Sequence, residues 1–235
     1  MIAPESVTPL GPIDPLEIHK DWRLDPSEYY PQAQTKDLIV LHHTVGGSAW
    51  STFKWWRDDP RHIGTAYIVG RDGTAYEVFP PDCWAWHLGV KHEGIEKRSI
   101  GIELASEGGL LCKRRNGNGP HELWAFDGAK RLGLASMLKK SHRVVHLEEP
   151  WRGYSWFDAY EPAQIRTTIA LSLYLTRRFD VPRMIPAPQL CRGPADLSRW
   201  LHYRGVLHHA MLRRDKSDLH PRFPFETLRT TLEAA

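Results

Sequence analysis

The stretch Leu38-Ile39-Val40-Leu41-His42-His43-Thr44 decides the fold of this chain. It is a short apolar run with β-branched residues, and the polar and glycine residues that follow it mark its end, a pattern typical of a buried strand. Because the run ends in His42 and His43, the same strand brings imidazole groups to its carboxyl end. We therefore predict a buried strand over residues 37–44 that leads directly into a candidate chemical site.

Further strand patterns follow this one along the chain. Residues 66–69 and 75–79 flank the pair Asp72-Gly73, and an Asp-Gly pair between such runs is a strong signal for a hairpin turn. Residues 99–105 predict another strand, which holds Glu103 inside an otherwise apolar stretch. An acid in that setting either faces solvent on an edge strand or has a catalytic role.

Helical patterns alternate with these strands. Residues 50–57 predict a short helix. In residues 162–178, apolar side chains recur at helical spacing, Pro162 suits the first turn, and Arg177-Arg178 suit the last turn. A further short helix is predicted near residues 195–200.

The organisation of the chain favours one domain, because neither an internal repeat nor a low-complexity linker interrupts it. Residues 1–36 are rich in proline and acids and predict an irregular N-terminal arm. Residues 37–235 then form the domain proper. Residues 106–156, which contain the turn-rich segment 115–120, predict an insertion of loops and short strands.

Composition excludes several classes of protein. An apolar fraction of 41% in 235 residues is ordinary for a globular chain with a sizeable core. The net charge of +3 is spread over short basic groups, so we expect no nucleic-acid partner. We expect a monomer without a membrane span, since no apolar run approaches the roughly 20 residues of a membrane helix.

Two features of the sequence, its N-terminal residues and its cysteines, bear on where the protein is expected in the cell. The first residues lack the basic start and apolar core of a signal peptide. An odd number of cysteines without metal-type spacing fits a reducing compartment: Cys83, Cys112 and Cys191. We expect a cytoplasmic protein as synthesised, which would reach any external target only by release or export.

Distant residues offer the ingredients of a hydrolytic metal site. His42, His208 and Asp218 supply two imidazoles and a carboxylate, and Lys216 stands two positions before that carboxylate. Three protein ligands with a vacant fourth position are typical of catalytic zinc, whereas structural zinc is usually closed by four. Glu103 is the candidate proton carrier that such a centre needs.

These segments resemble the type-2 N-acetylmuramoyl-L-alanine amidases, a family that includes bacterial recycling amidases, the T7-type lysozyme and peptidoglycan recognition proteins. The resemblance covers most of residues 37–228, and its most specific parts are the strand histidine and the Ile-Gly-Ile-Glu-Leu string. It is carried by residues 38–44, 64–79, 85–89, 99–104, 156–164 and 208–218. Together with the strand and helix pattern, it implies an α/β fold in which helices flank a central mixed sheet and zinc lies at one edge of the sheet.

The resemblance also implies roles for individual residues. Carried over by position, the zinc ligands are His42, His208 and Asp218; His42 is preferred to His43, and the spacing to the lysine and the acid selects His208 over His209. Glu103 falls on the position of the catalytic acid. Lys216 falls on the position of the lysine that stabilises the oxyanion.

The chain departs from the family pattern around the last two ligands. Leu207 stands where the family usually has glycine, and Leu219-His220-Pro221 replaces the usual Pro-Gly after the acid. These departures leave His209 or His220 as substitute ligands. Three residues are expected to contact substrate, although a packed Trp-His edge is the alternative for the first two: Trp86, His87 and His43.

The resulting function is zinc-dependent hydrolysis of the amide bond between N-acetylmuramic acid and L-alanine, in peptidoglycan or soluble muropeptides. This predicted activity is compatible with both a recycling enzyme and a cell-wall-degrading endolysin. The alternative is a non-catalytic peptidoglycan-binding module of the same fold. A structural zinc site is a third reading, and it would need a fourth ligand such as His43 or His209.

Overall fold

A six-stranded mixed sheet forms the centre of the domain in the computed structural model, which describes residues 16–114, 121–127, 130–131 and 144–235. The strand order is β1-β4-β3-β5-β2-β12. Within this sheet only the β3–β4 pair is antiparallel, and the other pairs are parallel. The strands are β1 (Ile18–His19), β2 (Leu38–His43), β3 (Tyr67–Val69), β4 (Ala75–Glu77), β5 (Ser99–Leu104) and β12 (Gly205–His208).

The predicted first strand lies inside this sheet. β2 pairs with β5 on one side and β12 on the other, and every residue of β2 is buried. A parallel strand covered on both faces needs an almost continuous apolar run, which is what residues 38–41 supply. The prediction from this stretch is therefore confirmed, and its two histidines mark the carboxyl edge of the sheet.

The predicted hairpin and its turn are also confirmed. β3 and β4 pair in antiparallel register, with Tyr67 opposite Glu77. Gly73 has φ +88°, a left-handed conformation that side chains rarely adopt, and a Cβ there would lie 3.0 Å from Ala163. Glycine at this position is thus required both by the turn and by the close approach of the long helix.

Helices flank the sheet as predicted. They are α1 (Ala49–Arg57), α2 (Glu93–Arg98), α3 (Pro162–Arg178), α4 (Pro188–Cys191), α5 (Leu197–Trp200), α6 (His209–Leu212) and α7 (Phe225–Glu233). The long helix α3 has the predicted bounds and packs on β3 and β5, where Gln164 donates hydrogen bonds to the carbonyls of Val69 and Ala105. In the part of the chain that the structure describes, no helix is long and apolar enough to cross a membrane.

A second, antiparallel sheet is formed largely by residues of the predicted insertion (106–156) and extends to Asp158, with the strand order β10-β11-β6-β7. Its strands are β6 (Gly109–Arg114), β7 (His121–Trp124), β10 (Val144–Trp151) and β11 (Tyr154–Asp158), and β8 (Phe126–Asp127) and β9 (Lys130–Arg131) form a separate pair. Asp158 ties this sheet to the main one through a buried ion pair with Arg71 and a hydrogen bond from the Glu107 amide. The turn-rich segment 115–120 and residues 1–15 of the predicted arm lie outside the described residues.

Candidate metal centre

Three buried side chains from distant parts of the sequence converge at the carboxyl edge of the central sheet. They are His42 at the end of β2, His209 at the start of α6, and Asp218 in the loop that follows. His42 Nδ1 lies 2.9 Å from His209 Nδ1, and Asp218 Oδ2 lies 3.5 Å and 3.3 Å from these two nitrogens. Three donor atoms therefore surround one point, as the ligands of a single ion do.

His208, the second histidine predicted as a ligand, is not part of this group. In the β2–β12 register it pairs with Leu41, so its side chain leaves the face of the sheet opposite to that of His42. Both ring nitrogens contact backbone groups: Nε2 lies 2.8 Å from the Cys191 carbonyl, and Nδ1 lies 2.8 Å from the Asp218 carbonyl and 3.0 Å from the Leu219 amide. The structure thus places His209, the substitute that the sequence left open, where His208 was expected.

The backbone explains why the second of these adjacent histidines reaches the site. β12 ends at His208 and α6 begins at His209, so the chain turns between them. His209 Nε2 lies 2.8 Å from the Leu88 carbonyl and donates its proton there, which leaves Nδ1 as a free acceptor directed at Asp218. Such an outer contact, which fixes the tautomer and the ring orientation, is typical of metal-binding histidines.

His42 is fixed by a chain of hydrogen bonds on its other side. His42 Nε2 lies 2.9 Å from His87 Nδ1, His87 Nε2 lies 2.7 Å from Ser99 Oγ, and Ser99 Oγ donates to the Glu96 carbonyl at 2.9 Å. The Glu96 carbonyl can only accept a hydrogen bond, so His87 and His42 must each donate from Nε2 to the next group in this hydrogen-bond relay. The lone pair of His42 Nδ1 is consequently free on the side of His209 and Asp218.

The protonation states of these groups suit a cation. Burial, together with the charge of His209, lowers the pKa of His42 to about 4, so its imidazole is neutral near neutral pH. Burial acts to raise the pKa of Asp218, but its interactions with His209, and after them those with His42, outweigh burial and hold that pKa well below its ordinary value. His42 therefore offers a neutral imidazole to a cation, and Asp218 offers a carboxylate.

Glu103 lies on the adjacent strand, in register with His42 and on the same face of the sheet. Its Oε2 is buried and has no hydrogen-bond partner. Burial and then the charge of Asp218 raise the pKa of Glu103 well above its ordinary value, while Lys216 acts in the opposite direction. A buried carboxyl oxygen left unpartnered is costly in a folded protein, and such atoms cluster at functional sites.

The donor set fits zinc. Ligand atoms of a tetrahedral zinc ion lie roughly 3.3 Å apart when the metal–ligand bonds are about 2.0–2.1 Å. The three distances between His42, His209 and Asp218 span 2.9–3.5 Å and so bracket that spacing. Two imidazoles and one carboxylate with outer hydrogen bonds are also the ligands of catalytic zinc sites that keep a fourth position open.

The family model Amidase_2, described as N-acetylmuramoyl-L-alanine amidase, matches residues 32–221. The chain belongs to this family. The match spans every group of the metal centre, from His42 to Asp218, and confirms the resemblance drawn from the sequence. No curated protein matches the chain by sequence.

Solved structures share the amidase fold with this chain. PlyL superposes with a TM-score of 0.53 at 12% identity, covering 92% of this chain and 96% of that chain. The catalytic domain of PlyG superposes with a TM-score of 0.52 at 12% identity, covering 93% and 94%. At this level of identity the similarity establishes the fold, and the chemistry must be argued from the residues of this amidase.

The three residues predicted to contact substrate occupy different positions around the centre. The ring of His87 is buried behind His42, with both nitrogens engaged in the relay described above. His43 is buried too: its Nδ1 lies 2.9 Å from the Tyr160 hydroxyl, and a Cβ on Gly108 would lie 2.6 Å from its Nε2. Trp86 is partly exposed and donates to the Tyr30 hydroxyl at 3.1 Å, so it stays a candidate for the rim of a groove.

Two supporting residues of the amidase centre were missed from the sequence. Ser99 closes the hydrogen-bond chain behind His42, and Tyr160 holds His43 while its ring stacks on His220 at 4.5 Å. Strand register could have indicated Ser99, because it starts the strand that carries Glu103. No local signal distinguishes Tyr160 from a core tyrosine.

Proposed function

We propose that the protein is a zinc-dependent amidase that hydrolyses the bond between the lactyl carbonyl of N-acetylmuramic acid and L-alanine, in peptidoglycan or its muropeptides. The observation that carries this proposal is the convergence of His42, His209 and Asp218 next to the strand that carries Glu103, whose buried Oε2 has no hydrogen-bond partner. Family membership indicates the class of substrate, and the chemistry of the three donor groups indicates zinc as the metal. The complete set of ligands favours catalysis over a binding module that has lost its activity.

Zinc held by two neutral imidazoles and one carboxylate keeps a net positive charge, with which it polarises a carbonyl and lowers the pKa of water to about 7. His42 and His209 hold their Nδ1 atoms toward that position through their outer contacts with His87 and the Leu88 carbonyl. The protein itself therefore sets the geometry, since neither ring is free to turn.

Glu103 moves the proton. Its raised pKa makes its carboxylate a better base than an exposed glutamate, so it accepts a proton from the attacking water. The same carboxyl group then donates that proton to the departing amine nitrogen of L-alanine. A group that both takes and returns a proton needs a pKa near the working pH, and burial moves Glu103 in that direction.

Lys216 stabilises charge on the substrate. It stands two residues before Asp218, is partly exposed, and acts electrostatically on both Glu103 and His42. As the scissile carbonyl becomes tetrahedral, negative charge develops on its oxygen, and a nearby ammonium group favours that state. Such a contact is typically worth about 3 kcal/mol in the transition state.

The test is a comparison of the wild-type protein with Glu103→Gln. The substitution keeps the size of the side chain but removes its basicity, so bound zinc should remain while release of the free peptide from a purified muropeptide falls about 10²- to 10⁴-fold. Metal content and peptide release, measured by mass spectrometry, are the two readouts. Near-normal turnover by Glu103→Gln, or zinc-free wild-type protein with full activity, would contradict the proposal.

The natural form of the substrate is decided by a second experiment. The same enzyme preparation is offered intact sacculi and soluble anhydro-muropeptides. A recycling enzyme should prefer the soluble fragments, whereas an endolysin or exported effector should solubilise intact wall. Failure to release peptide from either substrate would count against the amidase proposal itself.

A further inference from the structure

The tip of the β10–β11 hairpin contacts the segment that carries two of the candidate ligands. Trp151, the last residue of β10, donates from its indole Nε1 to the carbonyl of Ser217 at 3.0 Å. Ser217 lies between Lys216 and Asp218. One hydrogen bond from the hairpin thus holds the Ser217–Asp218 peptide unit, which lies between the side chain of the proposed oxyanion-stabilising lysine and that of a candidate metal ligand.

The neighbouring residue of the hairpin acts at the other end of the same segment. Arg152 Nη2 donates to the Ala210 carbonyl at 2.8 Å and to the Gly193 carbonyl at 3.2 Å. Ala210 directly follows His209, and its own amide donates to the Asp218 carbonyl at 2.7 Å. The hairpin therefore contacts the residue after one ligand and the residue before the other.

Apolar packing strengthens these polar contacts. Ala210 belongs to a small buried cluster whose other members come from the hairpin, namely Leu147, Trp151 and Phe157. The Arg152 guanidinium lies 4.6 Å from the centre of the Trp151 ring. Beyond the hairpin's last strand, Tyr160 stacks on His220, two residues after Asp218.

The backbone of the hairpin tip is built for this contact. Arg152 has φ +51°, a left-handed conformation that is unfavourable for a residue with a side chain, and Gly153 continues the turn at φ +85°. Strained residues of this kind persist where the surrounding structure holds them, and they are frequent at functional sites. Here the turn directs the Arg152 side chain at two backbone carbonyls of the ligand segment.

We propose that the β10–β11 hairpin is a positioning element of the metal centre, with Trp151 and Arg152 as positioning residues that fix His209, Lys216 and Asp218. This inference rests on the proposed function. Most of the hairpin lies within the predicted insertion of residues 106–156, so that segment would support the chemistry of the centre. In its absence the ligand segment would keep its sequence but lose the contacts that hold its two ends in register.

The test uses the full chain with Trp151→Phe, which keeps an aromatic ring but removes the donor to Ser217. Trp156→Phe is the matched control, because Trp156 lies on the same hairpin and packs on His146 and the Leu110 cluster, away from the ligand segment. Zinc affinity, measured by competition with a chromophoric chelator, should fall roughly 3- to 10-fold in Trp151→Phe and stay unchanged in the control. The kcat for muropeptide hydrolysis should fall with KM unchanged.

Arg152→Ala and Arg152→Lys give an independent arm, in which the lysine should recover part of the zinc affinity through a single donor. Unchanged zinc affinity in both Trp151→Phe and Arg152→Ala would overturn the positioning role while leaving the amidase proposal intact. A lower melting temperature of the metal-free protein with unchanged zinc affinity would also overturn it, since that pattern marks support of the fold alone. If the wild-type protein binds zinc but does not hydrolyse muropeptides, the proposed function fails, and the affinity comparison still tests the hairpin.

Discussion

The two sides of the candidate metal centre are held in place by different contacts. On the strand side, His42 belongs to a strand that is hydrogen-bonded on both edges, and a relay through His87 and Ser99 fixes its ring. On the loop side, His209 and Asp218 lie outside the sheet and are held by backbone carbonyls and amides. The strand side is thus rigid by its place in the core, whereas the loop side depends on elements that approach from elsewhere.

This difference shows that the side chains of the centre are positioned in two ways, by strand register within the sheet and by contacts from distant parts of the chain. Register in the sheet determines which face of β2 carries His42 and places Glu103 beside it. No comparable rule determines the conformation of the loop, whose candidate ligands lie in a segment that contacts Leu88 and the tip of the hairpin. We expect the two sides to respond differently to substitution, and the predictions below test that.

The largest effect should separate the two adjacent histidines. His209→Ala removes a donor atom and should abolish stoichiometric zinc binding. His208→Asn removes a ring whose nitrogens contact only backbone groups, so folded His208→Asn should retain zinc at lower stability. Metal content after dialysis, alongside circular dichroism to verify folding, distinguishes them. Zinc retained by His209→Ala but lost from folded His208→Asn would reverse the assignment.

The next effect concerns the strand side. His87→Ala breaks the relay that orients His42, and outer contacts of this type are typically worth about 10- to 100-fold in metal affinity. Ser99→Ala removes only the far end of the relay and should cost less. Chelator competition on the two variants gives the ratio. If the affinity of His87→Ala equals that of the wild type, the relay has no role in holding the ligand.

Acid should destabilise the metal-free protein, because buried histidines on both sides of the centre must become protonated when it unfolds. Burial lowers the pKa of five histidines, to about 4 for His42 and about 3 for His220, so the unfolded chain binds protons below pH 6.5 that the folded protein does not bind. The contribution of these histidines to the free energy of unfolding is therefore fully retained above pH 6.5 and should fall as the pH drops toward 4. The five are His42, His43, His87, His208 and His220.

Urea unfolding of the metal-free protein at a series of pH values measures this slope. His220→Phe removes one of the five groups on the loop side while keeping a ring against Tyr160, and it should make the slope shallower. A pH-independent midpoint between pH 6.5 and 4 would mean that these histidines are not held neutral by the fold.

The smallest predicted effect is a gain in stability, whereas most substitutions lower the stability of a protein. The pKa of Glu103 is raised above its ordinary 4.5, so the folded protein binds this proton more tightly than the unfolded chain, and stability falls as the pH rises past 4.5. Glutamine carries no charge to bury. Metal-free Glu103→Gln should therefore melt roughly 2–5 °C higher than the wild type at neutral pH. Calorimetry at neutral and acidic pH checks this, because the gain should shrink in acid.

Much of the main sheet could be predicted from the sequence because its signals are local. The apolar run of β2, the Asp-Gly turn of the hairpin and the bounds of α3 each depend on neighbouring residues, and the structure confirms them. α2, β12 and α7 were not predicted. β12 is four residues long, and β-structure so short is stabilised by its pairing with β2 rather than by its own pattern.

The choice between His208 and His209 shows what the spacing of residues along the sequence does not specify. A shift of one residue in a strand moves a side chain to the opposite face, and the end of β12 places the turn between the two histidines. Counting residues from Lys216 and Asp218 carries no information about that turn. The bend is decided by pairing with β2 and by the contacts of Leu88 and Ala210.

By itself, the sequence determined the central strand with its histidine, the acid on the next strand, the carboxylate near the C-terminus and the amidase family. These follow from local patterns and from motifs whose order along the chain is informative. Only the tertiary structure decided which histidine lies beside His42, which side chains contact the candidate ligands, and which segment the tip of the hairpin contacts. Those features depend on the face that a strand presents and on contacts between residues far apart in the chain, which a linear order does not specify.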